Sequence, residues 1–477
     1  MPKYQIANIT AALILILSVV ISRLKLKYPN FYENREKVYK SIRLGVIFLG
    51  FLIVGIAFIR YNVHVPLTTY LRGGDFASYY AGALSIREGH NLYRDLASYN
   101  MDVLEDRDAE KYFIPDDYDQ GGSERLREIL ESNKIEAIGP FTYPPLNYIL
   151  FIPWTLFNWH LSFRIWVFIN LILIIISILL ILKSYKIEIA MYDYFLIGIL
   201  TAMFHPLTFA QWENQINILV LFLVVLSFYS FKNKNYYLVG FSLALAIHIK
   251  VFPVIMTAYF IWKREWKSVI WTLIFILLLS LVIIAAGDFT LISDYISTVF
   301  PKWMGYLRPF DMNQSFNGFF SRIFYSGEGF TALYANEFLA STLVKIFSGI
   351  IILTTILFCN NNIKANARFF DLEYGLVIVA SQLCSSWVLI HHLTWYILPF
   401  LILYIHYRFI QNQTLFFPLL ISISWILVGF RYEYGIPKYK SGLWIFMISL
   451  KFYGMIILWL AYLLALRKEN RAINPDI

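Results

Sequence analysis

Charge is what this sequence has least of. Only 15% of its 477 residues are Asp, Glu, Lys or Arg, against roughly 25% in an ordinary soluble domain. Such scarcity excludes a conventional water-soluble fold of this length. The two cysteines, Cys359 and Cys384, lie in or beside apolar runs. They make neither a metal-ligand spacing nor a disulfide framework, so packing is their expected role. Missing too are a P-loop, a G-x-S-x-G elbow and a dinucleotide fingerprint placed between a strand and a helix. The formal net charge of +9 invites a nucleic-acid partner. No long basic tail or basic stripe interleaved with aromatics accompanies it, which argues against one. Asp106-Arg107-Asp108 has the letters of a metal-holding D-x-D, but it sits in a charged stretch that solvated surface explains. No metal or cofactor is expected.

What fills the chain instead is apolar: 59% hydrophobic and 18% aromatic residues, gathered into runs such as 12–20, 166–182 and 273–286. Runs approaching about 20 residues can cross ~30 Å of hydrocarbon. Their number predicts an all-α polytopic membrane protein, one transmembrane domain over 1–477, with about 11–13 spans. The spans fall near 6–22, 44–59, 163–182, 191–208, 217–231, 268–286, 338–358, 372–390, 393–409, 414–430 and 443–466. Segment 146–158 is short, and 236–262 is interrupted by His248, Lys250 and Pro253. Lys3 ahead of an apolar stretch resembles a signal peptide. That stretch lacks a small-x-small cleavage site and runs into Ser22-Arg23-Leu24-Lys25, so it is expected to be a retained span.

Orientation follows from the loops, because Lys and Arg accumulate on the cytoplasmic side. Segment 23–43 is strongly basic, whereas 60–145 carries acidic runs such as Asp116-Asp117-Tyr118-Asp119. Later basic residues include Lys183 and Lys186, Lys232 and Lys234, Lys263 and Lys267, Lys364 and Arg368, and Arg467 to Arg471. All fall inside if 146–158 dips without crossing and 236–262 makes two half-length passes. The loops 60–145 and 287–337 then lie outside a cytoplasmic membrane. With that topology every polar motif lands on the same outer face. Ionisable groups near membrane depth are costly and mark functional cavities.

Asp75 follows Arg72-Gly73-Gly74, where the glycine pair allows a tight turn. It could cap a helix over 76–87, or serve as a general base that takes a proton from an acceptor hydroxyl. Tyr79, Tyr80 and Tyr93 offer faces and hydroxyls that suit a sugar, and equally an interfacial belt. Tyr143-Pro144-Pro145 returns the long loop to the membrane and reads first as a structural corner. The amides of Gln211-Trp212-Glu213-Asn214-Gln215-Ile216-Asn217 could orient a polar ligand or cap a helix. His248 and Lys250 stand before Pro253 in an apolar segment. Lys250 either snorkels or neutralises a phosphate at a broken helix lining a cavity. Asn313-Gln314-Ser315 occupies the second long loop. His391-His392 opens an apolar helix without the further ligands of a zinc site.

Taken in order, Asp75-Phe-x-x-Tyr79-Tyr80 with Gly89 and Tyr93, Tyr143-Pro144-Pro145-Leu146, Gln215-x-Asn217, Lys250-x-x-Pro253, Asn313-Gln314-Ser315 and His391-His392 resemble glycosyltransferase family 87. The resemblance runs from about residue 70 to about 400 and rests on the series, each motif being short. It implies a GT-C-like helix bundle similar to the polyprenol-phosphate-mannose-dependent α-mannosyltransferases. It implies a single inverting displacement, with a polyprenyl-phosphate sugar as donor and a lipid or glycan as acceptor. Position by position, Asp75 would be the base, and Lys250, His391, His392 and His248 would lie at the donor phosphate. Tyr79, Tyr80, Tyr143, Gln215, Asn217, Asn313 and Gln314 would lie at the substrate. Two departures stand out: Asn214 occupies a place usually held by glycine, and an additional span precedes the Asp75 loop. Two other function classes fit the composition. A transporter or lipid flippase would show internal repeats and a polar site near the midplane, and neither is evident. A non-catalytic scaffold would use the acidic stretch 102–124 as a contact region, with Asp75 only a cap.

Overall fold

The computed structural model describes residues 36–68, 74–93, 131–132, 135, 141–185, 187–303, 307–327, 329–364, 366–410, 416–432 and 436–473. The expected span 6–22, residues 23–35 of the basic segment 23–43, the Arg72-Gly73 turn and the acidic stretch 102–124 lie outside the described residues, while 36–43 belong to a helix. Among the described residues the chain is helical without a named strand.

Fifteen helices carry the architecture: α1 (Glu36–Ile59), α2 (Gly74–Arg87), α3 (Trp159–Lys183), α4 (Met191–Ala202), α5 (His205–Trp212), α6 (Asn217–Lys232), α7 (Tyr236–Ile249), α8 (Val254–Trp262), α9 (Trp266–Ala286), α10 (Phe316–Phe324), α11 (Glu337–Phe358), α12 (Ala367–Cys384), α13 (Ile397–Ile405), α14 (Phe416–Gly429) and α15 (Leu450–Ile473). Their starts are legible in residue chemistry. Side chains of Asn158, Asn235 and Asn336 accept the backbone N–H three residues on, at 2.9–3.1 Å. Asn366 does the same for Arg368. Each satisfies one of the orphan donors of a helix start.

By length and composition, five described helices can each cross a membrane, and six if a bent pair counts as one span. That pair is α4 and α5, which meet at 53°; Pro206 stands in the first turn of α5, where its missing N–H costs nothing. The expected break in 236–262 is present: α7 ends at Ile249, Lys250 is extended (φ −153°, ψ 119°), and α8 begins at Val254. Segment 146–158 forms only a short helix, Pro145–Ile149, and a 3-10 turn, Ile152–Leu156.

A large core runs through the bundle, beside a small second cluster of Phe330, Ile390, Ile445 and Ile448. The bundle's principal packings are α7 on α9, α14 on α15, α6 on both α7 and α3, and α12 on α15. Helix α2 is anchored by Phe76, whose ring lies 5.2–5.7 Å from Phe151, Trp159 and Phe163. Ion pairs join residues distant in the chain: Lys232 meets Asp371 at 2.8 Å, Lys263 meets Glu373 at 2.9 Å, and the half-exposed Arg408 meets the buried Asp193 at 3.1 Å.

Helices α8 and α11 both pack on α12, yet no comparable contact joins them to each other. The Lys263 ammonium donates to the carbonyls of Cys359 (2.7 Å) and Asn361 (2.6 Å), tying the two at their far ends. A groove therefore runs between α8 and α11 with α12 as its floor.

Candidate active site

The groove belongs to a cavity of 790 Å³ with two unlike ends. At one end Asp75, Ser78, Tyr143, Lys250, Ser385, Ser386, His391 and His392 face it. The other end is apolar: Val254, Ile255, Ala258 and Trp262 from α8, Ile352, Ile356 and Cys359 from α11, and Val377 and Ala380 from α12. From Val254 to Trp262 a helix advances about 12 Å. Val254, Trp262 and Ile352 are exposed along that path, so the apolar part opens sideways.

Asp75 is not the N-cap of its helix, because α2 already begins at Gly74 and Asp75 sits in the first turn. Its half-buried carboxylate makes no hydrogen bond or ion pair among the described residues. Burial pushes it up to about 6, with the nearby Lys250 cation pulling it back. Lys250 is pushed down to about 7 by burial, partly restored by Asp75. Its ammonium donates to Asn217 Oδ1 at 2.8 Å and lies 5.4 Å from the centre of the Tyr143 ring.

Behind Lys250 stands a connected network. Asn217 Nδ2 donates to Gln215 Oε1 at 3.0 Å, and the hydroxyls of Tyr79 (3.1 Å) and Tyr143 (3.2 Å) donate to the same oxygen. The turn that brings these amides round is left-handed at Asn214, φ 51°. Asparagine enters that region more readily than most residues, so the chain makes this turn without a glycine. It also adds anchors: Asn214 donates to the Phe163 carbonyl at 3.1 Å and accepts from Asn170 at 3.1 Å.

His391 and His392 both line the cavity. The Leu389 N–H donates to His392 Nδ1 at 3.2 Å, which leaves the proton of the neutral ring on Nε2. His391 lies parallel to Phe209, ring centres 6.1 Å apart. Burial, reinforced by Lys250, holds both rings well below the usual histidine range, so both are neutral at pH 7.

Several expected residues are placed elsewhere. His248 sits two positions before Lys250, about 200° round the helix. Its Nδ1 meets the Ala244 carbonyl and its Nε2 meets Ser280 on α9, away from the cavity. Tyr80 donates to the Phe157 carbonyl at 2.8 Å and packs on Trp159. Gln215 and Asn217 are fully buried and stand behind the cavity wall. Asn313 and Gln314 are buried braces. Asn313 Oδ1 accepts from the Val388 N–H at 3.1 Å and its amide donates to Ser386. Gln314 ties the same loop to Ile448 and Phe452 of the last helices. They hold the 385–389 segment that carries Ser385, Ser386 and Leu389 to the cavity.

Glu213 was not singled out from sequence, although it is the one acidic residue in the motif that precedes α6. Burial pushes its carboxyl up to about 8, with Asp75 as the second cause. Burial chiefly, with Asp75 as the lesser cause, keeps Glu213 protonated at pH 7, where Asp75, held down by Lys250, is ionised. Arg322 was likewise overlooked; fully buried, it donates to the carbonyls of Phe310 (2.8 Å) and Asn313 (2.6 Å).

A helical bundle with five or six apolar helices of membrane-crossing length, and a cavity that is ionisable at one end and apolar along its side, defines a polytopic membrane protein. Residues 141–386 match the family model described as glycosyltransferase family 87. The match covers more than half of the chain, which belongs to that family and is a glycosyltransferase. No curated protein and no solved structure matches it. The matched segment includes Tyr143, Gln215, Asn217, Lys250 and Asn313, while Asp75, His391 and His392 lie beyond its limits.

Proposed function

We propose that the protein transfers a sugar from a polyprenyl-phosphate donor to a hydroxyl of a lipid or glycan acceptor at the outer face of the cytoplasmic membrane. Mannose is the sugar to test first. The observation that carries this proposal is the pairing of one ionisable cluster with an apolar groove in a single cavity. The isoprenoid chain lies between α8 and α11, entering sideways from the bilayer. The phosphate lies at Lys250, with the His391 and His392 rings beside it, and the anomeric carbon lies between the phosphate and Asp75.

The reaction is one inverting displacement. The acceptor oxygen bonds to the anomeric carbon as its proton passes to the Asp75 carboxylate. The bond from that carbon to the phosphate oxygen breaks, and polyprenyl phosphate leaves. A carboxylate held near pH 6 is ionised at neutral pH yet basic enough to accept the proton. The Lys250 ammonium stabilises charge growing on the leaving phosphate in a site sheltered from water. No metal is required in this scheme.

The test is transfer by purified protein in lipid nanodiscs, with labelled polyprenyl-phosphate mannose and a membrane lipid extract as acceptor. Label in a product lipid or glycan supports the proposal. No transfer from any polyprenyl-phosphate sugar, with transfer from a soluble nucleotide sugar, would overturn it.

A further inference from the structure

The most informative feature behind the cavity is a set of hydrogen bonds whose directions are fixed by one member. A lysine ammonium, the form that pairs with a phosphate, can only donate. Lys250 therefore faces the oxygen of Asn217, at 2.8 Å, and the Asn217 amide nitrogen must point the other way. That nitrogen donates to Gln215, so the Gln215 atom it meets is the oxygen. The hydroxyls of Tyr79 and Tyr143, which share that oxygen, are then both donors. Asn217, Gln215 and Tyr79 are fully buried. A sugar in the cavity cannot reach the two amides. Their fixed orientation acts on Lys250.

Lys250 and Asp75 line the same cavity, and each senses the other's charge. Opposite charges so placed would ordinarily close into a contact pair, yet no ion pair joins them within 4.0 Å among the described residues. Asn217 provides the competing anchor. It takes one ammonium proton and leaves two for phosphate oxygens.

We propose that Asn217, oriented by Gln215, is a positioning residue that holds the Lys250 ammonium at the donor phosphate and away from Asp75, so that the carboxylate stays free to act as base. The inference rests on the catalytic role proposed above for Asp75. It assigns Gln215 and Asn217 to the geometry of the charged groups instead of to sugar recognition.

Burial raises Asp75 and Lys250 at the helix break lowers it. Also facing it are Glu213 before α6, Tyr79 on its own helix, and Tyr143 and Tyr148 from the loop and short helix packed beside it, all of which burial and, to a lesser degree, Asp75 in turn push up. Around Lys250 stand Asp75, His391 and His392. Removing the Asn217 oxygen releases the ammonium toward Asp75. An opposite charge at about 4–6 Å lowers a carboxyl by one to three pH units.

The experiment titrates Asp75 by infrared difference spectroscopy in nanodiscs, its carboxyl band assigned by loss in Asp75→Asn. Donor KM and kcat are measured across the same pH range. In Asn217→Leu, of similar shape, the titration is expected to fall by at least about one pH unit, with kcat down about tenfold or more. In Asn217→Asp the ammonium is held and its field neutralised, so the titration is expected to rise and donor KM to increase. Opposite movements in the two variants support the proposal. An unmoved Asp75 titration in folded Asn217→Leu would overturn it. If that variant does not fold, an unmoved or lowered titration in Asn217→Asp does so. The spectroscopic readout stands without turnover, so a failed transferase assay would count against the proposed function and not against the positioning of Lys250.

Discussion

Replacing Lys250 by Met keeps the stem of the side chain and removes its charge. Two consequences follow from the geometry. The first is at the donor phosphate, where a hydrogen bond to a charged group contributes about 1.5–3 kcal/mol. At 1.4 kcal/mol per decade, donor binding weakens about 10- to 150-fold. The second is at Asp75. Lys250 is the cation that holds this carboxyl down against burial, so its loss moves Asp75 above about 6 and the acid limb of kcat/KM moves to higher pH. The buried Asn217 oxygen also loses its partner, which costs about 1–3 kcal/mol of stability. The assay is initial rate with labelled polyprenyl-phosphate mannose from about pH 5 to about pH 9, a range that brackets both limbs. A donor KM within about twofold of wild type (below 0.5 kcal/mol), together with an unmoved acid limb, would refute both the phosphate contact and the coupling to Asp75.

Three other outcomes are expected. Lys263→Met strands the Glu373 carboxylate, which now meets Lys263 at 2.9 Å and the Tyr259 hydroxyl at 3.0 Å. Removing one partner of a buried pair costs about 3–5 kcal/mol, so the melting temperature in detergent should fall sharply; an unchanged melt would mean the pair does not tie the end of α8 to α12. Ala258→Trp fills the mouth of the apolar groove. Losing even two methylene contacts costs about 1.6 kcal/mol, so KM for a long-chain donor should rise about tenfold or more while a donor with one isoprene unit is little affected; equal effects on both would place the chain elsewhere. Chelation of divalent cations should leave the transfer rate unchanged, and a loss restored by added metal would contradict leaving-group stabilisation by Lys250 alone.

Much of the architecture was legible in the sequence because hydrocarbon imposes a blunt rule, that backbone polar groups be satisfied within each segment. Apolar runs such as 163–182 and 338–358 became α3 and α11 nearly to the residue. The interruption at Lys250 and Pro253 became the break between α7 and α8, since proline cannot continue the hydrogen bonding of a helix interior. The candidate site was legible less evenly. Asp75, Tyr143, Lys250, His391 and His392 do meet around one cavity. Sequence order cannot tell an amide that lines a cavity from one that stands behind its wall, which is why Gln215 and Asn217 looked like sugar contacts. Helical phase explains other differences. Tyr79 and Tyr80 are about 100° apart, so one joins the Gln215 network and the other meets Phe157. Glu213 and Arg322 gave no periodic signal, because their surroundings are assembled from residues distant in the chain.

The central claim is that Asp75 is the base of the transfer reaction, and its removal tests that most directly. Asp75→Asn preserves shape and touches no described hydrogen bond of the carboxylate, so the variant should fold like wild type, while losing the charge that raises Lys250 weakens its hold on the donor phosphate at pH 7. The measurement is transfer of label from polyprenyl-phosphate mannose to acceptor by the two proteins side by side, at pH 7 and equal amounts in the same nanodiscs. Removing a general base is expected to cost about 10²–10⁴-fold in rate at saturating donor, with donor KM raised because Lys250 loses the support of the Asp75 charge. Equal turnover by both proteins would mean that Asp75 is a helix-terminal residue without a part in the chemistry.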